Sequence, residues 1–430
     1  MPTESSTTEQ FNNLIEFRQR VYEQGLARER DAQFDLLDVL VTGQRVQSFV
    51  ELSLSPLHRR QYSSTFSALK RGQQDVEALR QLFAEQLPDD EVLVLSLDGS
   101  RWPHAQARTL SGLVLEPNQN HITAVHLYSM LAWVPEVFSS WALPLSTERV
   151  APHQTEVEVG AAQVRELQQR LGADTELVVT ADGRYGNHKT VVAMQDVPAR
   201  WVVRLARNRV LFGDPGPYSG RGRPRMHGHR FAFREPGTWP IPDEDMQFEH
   251  PVYGMVRLRR WNGFHDRKVA DLPFSIVQAE VHLERDKPPA PLWLGTNASV
   301  DVAVRLIWQW YLRRWPIEPA FRFRKQRLHW TLPRLHRTER CDRWTILVDI
   351  AYWQVWLARN LVSDQPLPWQ KGQSSPTPER VVAGFGALLA TLPSLSHSVQ
   401  PRGKSPGWPT GRPRTPQARY SVVRRSRAGP

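Results

Sequence analysis

Two short apolar runs, each ending in Asp-Gly, set the tightest limit on what this chain can fold into. Val92-Leu93-Val94-Leu95-Ser96-Leu97 leads into Asp98-Gly99, and Leu177-Val178-Val179-Thr180-Ala181 leads into Asp182-Gly183. Runs of this length, rich in Val and Leu and stopped by turn chemistry, read as strands buried in a sheet. Two more strand-like runs follow the first, at 109–115 and 122–134. Then comes a helical stretch over 157–171, where Ala161, Val164, Leu167 and Leu171 share one face and Gly172 supplies the stop. Strands, then a helix, then another central strand, predict an α/β class with a mixed sheet and helices packed on it.

The flanking texture divides the chain. Residues 1–90 read as a helical domain, with Phe11, Leu14 and Phe17 at helical spacing and Val76, Leu79, Leu82 and Phe83 in a second such segment. Its basic pairs, Arg59-Arg60 and Lys70-Arg71, suit DNA binding, although solvated helix faces carry such pairs just as often. Residues 91–200 form the first part of the α/β core. Residues 201–300 are irregular and Gly/Pro-rich, with short alternating strands and the basic loop Arg221-Gly222-Arg223-Pro224-Arg225, and read as a β-rich insertion. Helices return over 301–370 to complete the core. From 371 to 430 the chain is rich in Pro, Ser, Gly and Arg, with no acidic residue after Glu379, which predicts a basic, disordered tail.

Lys plus Arg number 55 against 44 Asp plus Glu, a formal charge of +11 that favours a polyanionic partner, nucleic acid first. A single cysteine, Cys341, excludes an intrachain disulfide and a thiolate cluster. Residues 1–10 are polar and acidic rather than signal-like, and no stretch reaches about 18 uninterrupted apolar residues. The expected setting is the cytoplasm, in association with the nucleoid, and no membrane partner is expected.

Cleaving a phosphodiester calls for metal ions held by oxygen ligands on rigid elements, and aspartates at strand ends are well placed for that. An Asp-Gly after a strand is equally ordinary turn chemistry, so neither aspartate is decisive alone. A third element changes the weighing. Tyr311, Arg314, Glu318 and Lys325 fit Tyr-x2-Arg-x3-Glu-x6-Lys within Trp310-Tyr311-Leu312-Arg313-Arg314-Trp315-Pro316-Ile317-Glu318-Pro319. Pro316 and Pro319 are tolerated in a first helical turn, so a new helix begins near Trp315 with Glu318 at its rigid start. Lys325 lies two turns further along the same face, about 10 Å away, in reach of a phosphate extending from the carboxylates. Tyr311 and Arg314 share a face of the preceding helix, and with Lys325 they could line a DNA backbone.

This segment resembles the signature of bacterial insertion-sequence transposases of the DDE type that carry a Y-R-E-K motif. The resemblance implies a ribonuclease H-like catalytic core interrupted by a β-rich insertion. It implies Asp98, Asp182 and Glu318 as a catalytic triad holding two Mg²⁺ ions, with Mn²⁺ as a substitute. Asp182-Gly183-Arg184-Tyr185-Gly186 is similar to the family's stretch around its second aspartate. Pro291-Leu292-Trp293-Leu294 resembles the strand whose tryptophan stacks on a flipped base during hairpin formation; Trp293 is thus a stacking candidate or, as most Trp must be in a chain with 16 of them, a core residue. Arg207 and Arg209 are further DNA-contact candidates. The run Asp98-Gly99-Ser100-Arg101-Trp102-Pro103 departs from the small-hydroxyl pattern usual after the first aspartate.

The expected function is DNA transposition: metal-dependent cleavage at terminal inverted repeats, then strand transfer into target DNA by a homodimer that holds two double-stranded ends. Two alternatives stand beside it, a ribonuclease H-like nuclease that cuts without joining and a catalytically silent DNA-binding remnant of an insertion sequence. A basic protein that merely coats nucleic acid would leave the Tyr-Arg-Glu-Lys spacing as coincidence.

Overall fold

The computed structural model describes residues 4–424 except 91, 119–120, 219, 221, 283–288, 365, 367, 370–371, 373–374, 400–406, 408 and 414–415. Four helices come first: α1 (Glu4–Arg20), α2 (Arg30–Leu40), α3 (Tyr62–Arg71) and α4 (Val76–Ala84), with a two-stranded pairing of β1 (Leu26–Arg28) and β2 (Gln73–Gln74). Their apolar faces do not close on themselves. Phe17 stacks on Phe83, and Phe83 in turn stacks on Trp353 of a long helix near the other end of the described chain. Arg59 and Arg60 both reach the buried carboxylate of Asp35, so this basic pair serves the fold rather than an open surface.

The central sheet begins with β3 (Val92–Pro103), β4 (Val114–Asn118), β5 (His121–Trp133) and β6 (Leu143–Val150). Helix α5 (Glu156–Leu171) crosses to β7 (Glu176–Ala181), and α6 (His188–Met194) crosses to β8 (Ala199–Leu205). The start of α5 is fixed by a capping box, Thr155 accepting from Glu158 N–H while Glu158 reaches back to Thr155 N–H. Gly172 ends it at φ +85°, a conformation that favours glycine. Strand β3 is central, antiparallel to β5 and parallel to β7, and β7 is parallel to β8. The order β6-β5-β3-β7-β8, with helical crossovers behind the parallel pairs, is the ribonuclease H-like arrangement.

The sheet continues beyond β8. Strand β14 (Leu292–Thr296) pairs antiparallel with β8, followed by β13 (Val269–His282) and β12 (Gly254–Asp266), with β9 (Val210–Phe212), β10 (Arg230–Ala232) and β11 (Glu244–His250) at the far edge. The β-rich segment 201–300 therefore extends the core sheet to 12 strands. A row of apolar side chains on one face, Val94, Val178, Val202, Leu294 and Val277, is covered by Val304, Ile307, Trp308 and Tyr311 of α7 (Val304–Leu312). Helix α8 (Ile317–Gln326) follows, then α9 (Thr338–Leu357).

Two local expectations shift. The strand expected over 109–115 starts only at Val114, because Ser111-Gly112 turns the chain (Gly112 φ +74°) while Leu110 and Leu113 still fill the core. The segment expected to be a disordered tail contains α10 (Pro378–Leu389), which buries Val381, Val382 and Phe385, and further on Val423 bridges to Val114. Its Pro/Ser/Gly-rich average hides one amphipathic turn pattern that is enough to dock a helix.

Candidate active site

The two aspartates meet because their strands do. Ser96 pairs with Thr180 and Leu97 with Ala181 across the parallel β3/β7 ladder, so Asp98 and Asp182 are the next step on adjacent strands. Neighbouring strands run about 4.8 Å apart and paired residues share a face. Side chains alternate, so Asp98 stands on the face of Val94 and Ser96, and this is the face that α7 covers. The chain leaving α7 crosses the end of β3, where Ser96 Oγ donates to Arg314 O at 3.5 Å, and turns directly into α8 with Glu318 in its first turn. One end of the sheet thus gathers Asp98, Asp182 and the segment bearing Tyr311, Arg314, Glu318 and Lys325.

Charge at this end is unbalanced in favour of the acids. Burial first, and then Asp182, push the Asp98 carboxyl up to about 6, against the opposing pull of Gly99 N–H, Arg314 and Arg184. Gly99 N–H donates to Asp98 Oδ1 at 2.7 Å, and Arg184 N–H donates to Asp182 Oδ1 at 2.8 Å. Glu318 is exposed and is held by Arg314, whose Nη2 lies 2.7 Å from Oε1. Among the described residues the three carboxylates do not all come within 4.8 Å of one another. Asp98 and Asp182 form the paired half of the site, and Glu318, in the first turn of α8, is held by Arg314 and lines the cleft beside Gly99 and Ser100.

The basic residues flank this arrangement. Tyr311 is buried, its hydroxyl raised by that burial and hydrogen-bonded to Arg314. A cleft of about 540 Å³ is lined by Gly99, Ser100, Arg101, Glu318, Phe321 and Lys325. Lys325 packs near the rings of Phe321 and Trp330, and its ammonium is lowered by burial, then by Arg324 and Arg101, with Asp98 pulling the other way. Lys325 and Glu318 therefore open onto one cleft.

Three DNA-contact candidates stand elsewhere. Trp293 is 3% exposed, stacked on Phe233 at 4.2 Å and flanked by Trp239 and Trp261. In this conformation it has no free face for an extruded base, because β14 lies between β13 and β8 in the middle of the sheet. Arg209 donates to Gly186 O at 2.5 Å and sits 3.6 Å from Asp266, which ties it to the loop after Asp182. Arg207 is exposed in the turn after β8.

Glu156 carries no motif that marks it in the sequence, and Arg184 is marked there only as part of the stretch around Asp182. Glu156 opens α5 on the opposite face of the sheet, and its Oε1 would lie 2.1 Å from a Cβ at position 99. Gly99 is thus the residue that lets this carboxylate approach the strand end. Arg184 Nη1 lies 3.4 Å from it and links it to the Asp182 loop. The Thr155-x-x-Glu158 pattern locates the start of α5, and so of Glu156, but which strand end that start meets depends on the crossover.

Hard carboxylate oxygens suit Mg²⁺ or Mn²⁺. A buried aspartate raised by a neighbouring aspartate is the electrostatic situation that a divalent cation relieves. By comparison with known proteins, a family model described as DDE superfamily endonuclease matches residues 21–267, a span that contains Asp98 and Asp182 and ends before Glu318. No curated protein matches the chain.

Proposed function

Because the chain belongs to the DDE superfamily of endonucleases, we propose that it is a DNA transposase, cutting at the ends of its own element and joining the freed 3′-hydroxyls to target DNA. The observation that carries this reading is the placement of Asp98 and Asp182 one step past Leu97 and Ala181 on parallel neighbours, with Glu318 in the first turn of α8 after a junction that crosses the end of β3. Two divalent ions held there, Mg²⁺ or Mn²⁺ in its place, would polarise the scissile phosphate, activate the attacking hydroxyl and stabilise the leaving oxygen.

The protein's own groups hold and orient. Asp98 and Asp182 offer oxygens from a rigid sheet, and Glu318 offers one from the first turn of a helix. Arg314 brings a planar fork suited to phosphate, Lys325 a compact charge further along the cleft, and Tyr311 fixes Arg314 from behind. Water and then a DNA 3′-hydroxyl serve as nucleophiles, so no side chain has to form a covalent intermediate. Holding two terminal inverted repeats at once calls for a synaptic homodimer. A cytoplasmic, nucleoid-associated setting fits the +11 charge, and among the described residues no helix is long and apolar enough to cross a membrane.

The test is Mg²⁺-dependent processing of linear DNA carrying the inverted repeats that flank the gene. Cleaved and joined products are expected from the native chain, and neither from Asp182→Ala or Glu318→Ala. Cleavage without joining would replace transposition with a simple nuclease. A variant that cleaves at the native rate would remove its residue from the triad.

A further inference from the structure

His104, His126 and Cys341 lie apart from the carboxylates and take no part in that site. His104 follows the last residue of β3, His126 stands on β5 in register with Trp102, and Cys341 sits early in α9. All three are more than nine-tenths buried, and each offers a ligand atom within 4.8 Å of the other two. Among the described residues no other group of three or more His, Cys, Asp or Glu meets that condition.

The hydrogen bonding around them leaves lone pairs uncovered. His126 Nε2 lies 2.9 Å from the carbonyl of Ser111, so Nε2 carries the proton and donates it, and Nδ1 is a bare acceptor. That Nδ1 is buried with no partner, and so is Nε2 of His104. The Cys341 thiol donates to Arg337 O at 3.7 Å rather than to either imidazole. Two buried imidazole nitrogens without a partner are costly in a core. A backbone carbonyl that fixes one imidazole N–H and leaves the other nitrogen free to ligate is the arrangement found around histidines bound to metal.

We infer that His104, His126 and Cys341 form a buried site for one zinc ion, which ties the end of β3 to β5 and α9. Two imidazoles and a thiolate are the donors that a borderline-soft cation takes, in contrast with the all-oxygen set at Asp98 and Asp182. On binding, the sulfur–proton bond breaks, the sulfur–zinc bond forms, and the proton leaves to solvent. Tetrahedral zinc sets its ligands about 3.3–3.6 Å apart, so from separations within 4.8 Å the side chains close by at most about 1.5 Å. The fourth position is left for a water. Because β3 carries Asp98, zinc here braces the strand on which the carboxylate site is built without entering it.

The full chain, stripped with a chelator and returned to buffer with excess Mg²⁺ to fill the carboxylate site, is titrated with Co²⁺ and then Zn²⁺. Cys341 is the chain's one cysteine, so a thiolate-to-cobalt charge-transfer band in the near ultraviolet can come from no other residue. One equivalent of Co²⁺ is expected to produce that band and one equivalent of Zn²⁺ to abolish it. Cys341→Ser should lose the band, His126→Ala should weaken zinc binding by about 100-fold or more, and Asp98→Asn should keep both. A native chain that shows no thiolate band overturns the site, and that measurement decides even where a variant fails to fold. Equal zinc affinity in the native chain and Cys341→Ser overturns it as well.

Discussion

Arg314 and Glu318 face each other across the junction of α7 and α8, guanidinium to carboxylate at 2.7 Å. The pair joins a group suited to metal with a group suited to phosphate. Loading the site must separate them, so Arg314 is expected to be freed for DNA as Glu318 turns to the ions. Arg314→Ala should weaken binding to end-containing DNA and lower the salt dependence by about one phosphate contact, whereas Glu318→Ala, which unmasks Arg314, should not weaken metal-free binding. Fluorescence anisotropy over a salt series reads both. An unchanged slope in Arg314→Ala would show that this arginine serves only its carboxylate.

The pair of aspartates makes stability depend on pH when divalent cations are absent. Asp98 is raised from 3.8 to about 6, chiefly by burial and next by Asp182. A carboxyl raised in the folded state favours folding while it is protonated. That contribution is complete below about 3.8 and is lost as pH rises through about 6. Asp98→Asn keeps the shape and cannot ionise, so it is expected to be more stable than the native chain at about pH 8 by roughly 1–3 kcal/mol, with the gap closing towards about pH 4. Urea unfolding in EDTA across this range tests it. A gap that does not vary with pH would mean that the carboxyl ionises freely. Mg²⁺ should then stabilise the native chain more than the variant.

The halves of the site differ in how far the sequence exposes them. Asp98 and Asp182 are legible because a buried strand writes its ends into a few consecutive residues, and Glu318 because two prolines bracket a helix start. Their convergence follows from the parallel β3/β7 pairing, which puts the two strand ends side by side. What sequence patterns miss is set by contacts distant in the chain. The β-rich insertion at 201–300 is visible as such, but nothing local shows that β14 hydrogen-bonds to β8 and carries the core sheet onward through it. The Gly/Pro/Ser-rich region from 371 likewise gives no local sign that Val381, Val382 and Phe385 find a surface to cover.

Trp293 illustrates the same limit and yields a sharp test. A tryptophan on a strand near a nucleic-acid site reads equally as a stacking platform or a core residue, and its rings here lie against Phe233, Trp239 and Trp261. Trp293→Ala should therefore cost about 3–5 kcal/mol in urea unfolding, the usual loss for a large aromatic removed from a packed core. Native-like stability together with a selective block after the first strand cut would restore the stacking role.

Helix α8, which presents Glu318 and Lys325, is anchored from beneath by a buried ion pair. Arg324 is fully buried, hydrogen-bonded to Asp349 of α9 and set over the ring of Trp330 at 4.5 Å. Burial alone drives both partners towards their neutral forms, raising Asp349 to about 6 and lowering Arg324, while each pulls the other back towards charge. Such a pair adds little net stability over apolar residues of the same size, but removing one partner strands the other. Asp349→Ala is expected to destabilise the chain by about 3–5 kcal/mol, and Arg324→Met combined with Asp349→Leu to recover most of that loss. The double variant then separates stability from placement. With α8 still docked through Ile317, Ala320 and Phe323, it should fold and bind Mg²⁺. Any remaining loss of DNA cleavage would measure how closely the ion pair sets the direction of Glu318. Full cleavage would show that apolar packing positions the helix by itself.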